Sequence, residues 1–257
     1  MRRAHKPEVK IITIEDPVEY KVDNIVQTQV SEDYTFASGL RAVLRQDPDI
    51  IMVGEIRDRE VAETAVHAAQ TGHLVFSTLH TNSAVGAFPR LIDLGVDDRV
   101  IGSSVNIILG QRLVRMLCEH CKEGRQATPE EVTLIKKVIA GHPAPPPITE
   151  PITVYEPAGC EHCRHTGFKG RRAVFEAIRI DKKVEEAVLR DPREHVILEA
   201  AREQGIPTMP EDGMEKVLSG VTSLKELQRV VDLTRLRGEA PQPDEKDFDD
   251  SFAEHVV

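Results

Sequence analysis

Two constellations in the sequence carry chemistry. Cys118-x-x-Cys121 and Cys160-x-x-Cys163 use all four cysteines of the chain. Two such pairs let each knuckle offer two thiolates to one tetrahedral ion, which makes them candidate structural zinc ligands with no open position for substrate. A redox CxxC is the competing reading, and His120, His162 and His165 are alternative ligands. The second constellation is Glu15-Asp16, Glu55 and His80, each standing where an apolar run ends. Phosphoryl transfer from a nucleotide needs a positioned Mg²⁺ and an oriented water, not a covalent nucleophile. Strand-end carboxylates suit both tasks, and a neighbouring His can report the γ-phosphate. The competing reading is that Glu15 or Asp16 only caps a helix.

The elements that must position these groups follow from periodicity. Residues 10–16 read as a strand running into the carboxylate pair. Phe36–Gln46 reads as an amphipathic helix, closed by Asp47-Pro48-Asp49. Ile50–Val53 is a continuous apolar run, as expected of a parallel strand buried on both faces. A helix over Arg59–Thr71 ends at Gly72, and a second buried strand, Leu74–Leu79, delivers His80. Strands alternating with helices predict an α/β parallel sheet, whose ligands lie beyond the carboxyl ends of the strands. Ser83–Leu94 and Val100–Leu117 read as two further helices. Thr128-Pro129-Glu130-Glu131 opens another with a capping box, before a loop rich in Pro143, Pro145, Pro146 and Pro147. A strand over Arg172–Ile180 leads into a helical region, where Ser223 and Glu226 form a second capping box.

Composition narrows the classes. The 257 residues carry a formal net charge of −10 and only 4% aromatics without Trp. An acidic balance of this kind disfavours a nucleic-acid partner, including a zinc-ribbon binder, because neutralising phosphates needs clustered Lys and Arg. Residues 236–257 hold seven acids against Arg237 and Lys246, and are expected to be a disordered, solvated tail. No apolar run reaches the ~20 residues of a membrane span, so the chain is expected to be cytoplasmic.

Longer motifs carry a resemblance. Ile12-Thr13-Ile14-Glu15-Asp16-Pro17-Val18-Glu19-Tyr20 resembles the Asp box of the type II secretion and type IV pilus assembly ATPases. The stretch from Leu44 to Asp58 resembles their Walker B segment, and Thr71–Asn82 their His box. Gln111-Arg112-Leu113-Val114-Arg115 before Cys118 also fits. The resemblance implies a RecA-like P-loop NTPase core, ATP, Mg²⁺ and Zn²⁺ as cofactors, a homo-hexamer, and inner-membrane platform proteins as partners that bring it peripherally to that membrane. By the resemblance Glu15 is the general base and Glu55 the Mg²⁺-side carboxylate, roles the sequence leaves interchangeable. Asp16 belongs to the same strand end. His73 and His80 are then nucleotide sensors, although His73 equally suits a helix C-cap. Arg57 and Arg112 are phosphate or intersubunit contacts, or surface ion pairs. The tetracysteine element is a feature of the secretion and pilus-extension branch.

The organisation implied is a partial ATPase core over 1–117, a zinc element over 118–171, a strand and helices over 172–235, and the acidic tail over 236–257. A G-x-x-x-x-G-K-[ST] loop is nowhere in the sequence. The chain is therefore expected to be a truncated reading frame with negligible turnover alone, and Leu74–Leu79 to present an unpaired apolar edge. A non-hydrolysing oligomerisation or platform-binding module is the alternative function.

Overall fold

The computed structural model of the chain describes residues 3–233. The acidic stretch 236–257 lies outside the described residues. A four-stranded sheet is built from β1 (Ile11–Glu15), β2 (Val26–Gln29), β3 (Ile50–Val53) and β4 (Leu74–Ser77). Its order is β2-β1-β3-β4 and every pair is parallel. Helices α1 (Phe36–Leu44) and α2 (Arg59–Gln70) make the crossovers. The α/β class is the one the alternation of strands and helices predicts.

Local chemistry explains the boundaries. Thr35 and Ser38 exchange capping bonds at the start of α1, and the Asp58 side chain accepts from the Val61 N–H to start α2. All five residues of β1 are buried, so its side chains meet apolar neighbours on both faces. β4 is the apolar edge expected of Leu74–Leu79, but it is not buried on both faces. It forms one edge of the sheet, pairing only with β3 among the described residues, and Leu74 and Phe76 are 43% and 46% exposed. It is an apolar edge, not a second buried strand.

Beyond the sheet lie α3 (Ala87–Asp93) and α4 (Asp98–Ser104). The single helix expected over Val100–Leu117 is not formed. It stops at Ser104, and Ile107–Leu117 is a strand, β5, paired antiparallel with β8 (Phe168–Arg179). Burial in β5 alternates strictly, with Gly110 and Val114 inward and Leu109, Gln111 and Leu113 outward. Apolar residues at nearly every position fit a helix and a strand alike, and the partner strand far along the chain decides between them.

β6 (Lys122–Gln126) and β7 (Thr153–Pro157) form a second antiparallel ribbon, with α5 (Pro129–Ile139) between them. α6 (Lys182–Arg190), α7 (Glu194–Ala201), α8 (Met209–Leu218) and α9 (Leu224–Val230) complete the described chain. One core joins the parallel sheet to α1, α2, Ile178, Val184 and Ile197. A second gathers Val114, Ile135, Val154, Val174, Met214 and Leu227 beneath the ribbons. No described helix is long and apolar enough to cross a membrane.

Candidate functional site

The register of the parallel sheet brings the acids together. Ile14 stands opposite Val53, and Val53 opposite Ser77, so Glu15, Glu55 and His80 follow the carboxyl ends of three adjacent strands. Glu15 is 8% exposed. Its Oε1 accepts from Thr13 Oγ1 at 2.5 Å and from Gln27 Nε2 at 2.9 Å. Thr13 is two residues back on the same face of β1 and pairs with Gln27 of β2, so the pleat itself aims both donors at the carboxylate.

Glu55 has a different setting. Arg57 Nη2 donates to its Oε1 at 2.5 Å, and His80 Nε2 lies 2.9 Å from its Oε2. The Arg57 hydrogen bond, opposed by burial and helped by His80, holds the Glu55 carboxyl below its ordinary range. Arg57 Nη1 also stands 4.0 Å from Asp16 Oδ2. Asp16, Arg57 and Glu55 thus form one alternating line of charge at the sheet's end, with the His80 imidazole against Glu55. The turns that carry it are tied together: Thr78 Oγ1 donates to the Gly54 carbonyl at 2.7 Å, and the Ile56 N–H to the Thr78 carbonyl at 3.0 Å. The His80 side chain is 83% exposed.

Arg112 reaches this region from β5, donating to the Thr81 carbonyl at 3.2 Å and the Asn82 carbonyl at 3.5 Å. It holds the loop that follows His80. His73 does not join the cluster. It precedes β4, at the opposite end of the strand from His80, and its Nδ1 lies 3.1 Å from the Ala68 carbonyl at the end of α2. Sequence reasoning did not reach Thr13, Gln27 or Thr78. The run Gln27-Thr28-Gln29 carries no alternation that would single out Gln27.

The cysteines converge elsewhere. Cys118 follows β5, Cys121 precedes β6, and Cys160 and Cys163 bracket a turn after β7. The Cys121 N–H donates to the Cys118 carbonyl and the Cys163 N–H to the Cys160 carbonyl, both at 3.1 Å, so the two knuckles repeat one turn. The four sulfurs lie within 4.8 Å of one another, with closest pairs at 3.8–3.9 Å. A tetrahedral zinc with Zn–S of about 2.3 Å needs sulfurs roughly 3.8 Å apart, so the donor set fits that ion.

Backbone N–H groups prepare the sulfurs. Gly159 donates to Cys121 Sγ at 3.3 Å, and Cys160 and Gly167 each to Cys163 Sγ at 3.2 Å. Burial opposes ionisation at Cys163, yet these donors bring its thiol down to about 6. At Cys121 burial dominates and the thiol is pushed up to about 12. Gly159 and Gly167 adopt φ of 101° and 73°, and a Cβ would meet the His165 carbonyl at 2.8 Å and Pro157 Cβ at 2.3 Å respectively. The His120 and His162 rings pack against each other, tilted by 47° with centroids 4.0 Å apart.

Residues 1–229 match the sequence profile of the family described as Type II/IV secretion system protein. The chain belongs to that family. It is 47% identical over 222 residues to the type II secretion system protein E of Pseudomonas aeruginosa, covering 86% of this chain and 42% of that protein. It is 44% identical to the type IV pilus assembly ATPase PilB of Thermus thermophilus, covering 88% of this chain and 25% of that one. The chain therefore spans less than half the length of either curated relative. The crystal structure of the ATPase DotB of Legionella pneumophila is similar, with a TM-score of 0.56 and 25% identity, over 86% of this chain and 50% of DotB.

Proposed function

We propose that this chain is the C-terminal catalytic part of a hexameric ATPase that drives protein secretion or type IV pilus extension. The observation that carries the reading is the gathering of Glu15, Asp16, Glu55, Arg57 and His80 at the ends of adjacent parallel strands. The similarity to a type II secretion system protein E and to a type IV pilus assembly ATPase supports it.

In this reading Glu15 is the general base. Thr13 and Gln27 both donate to Oε1, which leaves the other carboxylate oxygen, Oε2, to orient water and take its proton. Glu55, kept ionised by Arg57, stands on the metal side and would be the carboxylate that holds a hydrated cation. Bound Mg²⁺ supplies charge neutralisation at the transferred phosphoryl group. His80 is free to swing from Glu55 towards a γ-phosphate and so reports hydrolysis to the loop that Arg112 holds. Asp16 and Arg57 extend the charged line towards the phosphates or a neighbouring subunit. His73 acts at most as a C-cap of α2 that fixes where β4 begins. The four cysteines hold a structural Zn²⁺. The assembled machine works at the cytoplasmic side of the inner membrane, held there by platform proteins.

The 257 residues contain no G-x-x-x-x-G-K-[ST] segment, which favours a second reading in which this stretch alone is a non-hydrolysing oligomerisation or platform-binding module. One experiment separates the two. The chain is expressed with whatever its gene encodes upstream, and ATP hydrolysis is measured for that protein and its Glu15→Gln and Glu55→Gln variants. The motor reading expects turnover that falls by at least ~10²-fold in each variant. A product that neither binds nor hydrolyses ATP, with zinc and oligomerisation intact, leaves the module.

A further inference from the structure

The β5–β8 ribbon has one face packed on the protein and one face bare. On the bare face stand Ile107, Leu109 and Leu113 of β5 and Phe175 of β8, each between 46% and 63% exposed. The register places them in one patch: Gln111 faces Phe175, Leu113 faces Ala173, and Leu109 faces Ala177. Exposed apolar groups scattered singly need no explanation, whereas four side by side on a strand pair mark a surface that something covers. Its ends are basic. Ile107 is opposite Arg179, and Arg115 is opposite Arg171. Across β5 and β8 there are six Lys or Arg and one acid, Glu176.

The complementary sequence is in the same chain. Residues 244–257 read Asp-Glu-Lys-Asp-Phe-Asp-Asp-Ser-Phe-Ala-Glu-His-Val-Val, with six acids against Lys246. Phe248, Phe252 and Val256 recur every four residues with acids between them. We propose that residues 244–257 dock on the bare face of the β5–β8 ribbon, Phe248 and Phe252 covering Leu109, Leu113 and Phe175 while the acids meet Arg171 and Arg179.

The reach is sufficient. The described chain leaves from α9, which is fastened to β5 by the Arg115 N–H donating to Glu226 Oε1 at 3.0 Å. Residues 234–247 can span up to ~46 Å, whereas the face from residue 107 to 115 is only ~27 Å long. Beside Arg115 and Arg171 a hollow lined by Thr166, Phe168 and Gly170 has room for an acidic side chain. The docking is independent of nucleotide chemistry.

The test uses the full chain with Phe252 replaced by a photoreactive benzoyl-phenylalanine, irradiated when dilute, with crosslinks mapped by peptide mass spectrometry. The expected result is an intrachain crosslink to peptides within 107–115 or 171–179. Its yield should fall about five-fold at high salt and about ten-fold in Leu109→Asp. A second readout leaves the described fold untouched: Phe248→Ser with Phe252→Ser should raise binding of an apolar dye about three-fold as the face is bared. Crosslinks to another surface, adducts only between two copies, a yield indifferent to Leu109→Asp, or unchanged dye binding would each overturn the proposal.

Discussion

The two chemical constellations are built on opposite plans. The strand-end cluster draws Glu15, Glu55 and His80 from three strands separated by long stretches of chain, and its outermost member is almost fully open to solvent. The cysteine cluster draws on two short knuckles, and among the described residues its sulfurs meet each other, backbone N–H groups and, at Cys163, the Cys160 carbonyl. The open cluster can exchange partners, because Arg57, Glu55 and His80 hold one another through surface contacts of low net worth. The closed one cannot exchange anything without unfolding its turns. Under the proposed function, the site for turnover and the site for stability differ in what satisfies their polar atoms.

The sharpest break would come at the closed site. Cys163→Ser, or chelation of zinc from the intact chain, should remove on the order of 5 kcal/mol and melt the second core. Calorimetry with metal analysis checks this. An unchanged melting temperature would reduce the cluster to four buried thiols and erase the contrast. Next is Leu227→Ala in α9, fully buried in that same core, expected to cost about 2–5 kcal/mol by denaturant titration. A cost below 1 kcal/mol would mean that α9 does not support the ribbon and its knuckles.

Glu226 sharpens the comparison through pH. It is buried, which by itself would raise its carboxyl, but Arg229 and Arg115 outweigh burial and bring it from 4.5 to about 2. The folded value lies below the unfolded one. The stabilisation is therefore present above about pH 4.5 and lost as pH falls towards 2, amounting to at most ~3 kcal/mol. Glu226→Gln should flatten that part of the stability–pH curve, and Glu55→Gln, whose carboxyl is also held below its ordinary range but lies at the open site, should flatten it less.

Legibility in the sequence followed the same division between local and distant causes. β1, β3 and α2 were readable because continuous apolar runs and an Asp cap are local signals. Thr128 and Glu131 form the expected capping box at α5. At α9 only half of one exists: Ser223 accepts from the Glu226 N–H, but the Glu226 carboxylate is drawn away to Arg115 and Arg229. β5 was misread as helix because its partner lies far along the chain, and β6 and β7 gave no signal for a similar reason. The convergence of the cysteines was legible from spacing alone. The clasp on Glu15 was not, since it depends on the Thr13–Gln27 register.

The smallest effect is expected at His80, and it tests the open site most directly. The imidazole is exposed and touches one carboxylate oxygen of Glu55. Removing it gives up a solvated contact and no apolar burial, so His80→Ala should change stability by no more than ~0.5 kcal/mol. Glu55 keeps its stronger partner, Arg57, and so stays ionised without the histidine. The same substitution in the gene's full product should slow ATP turnover well beyond what that stability change explains. A large loss of stability with turnover untouched would instead make His80 a structural residue, and the open end of the sheet would then hold its charges for the fold, as the knuckles hold theirs.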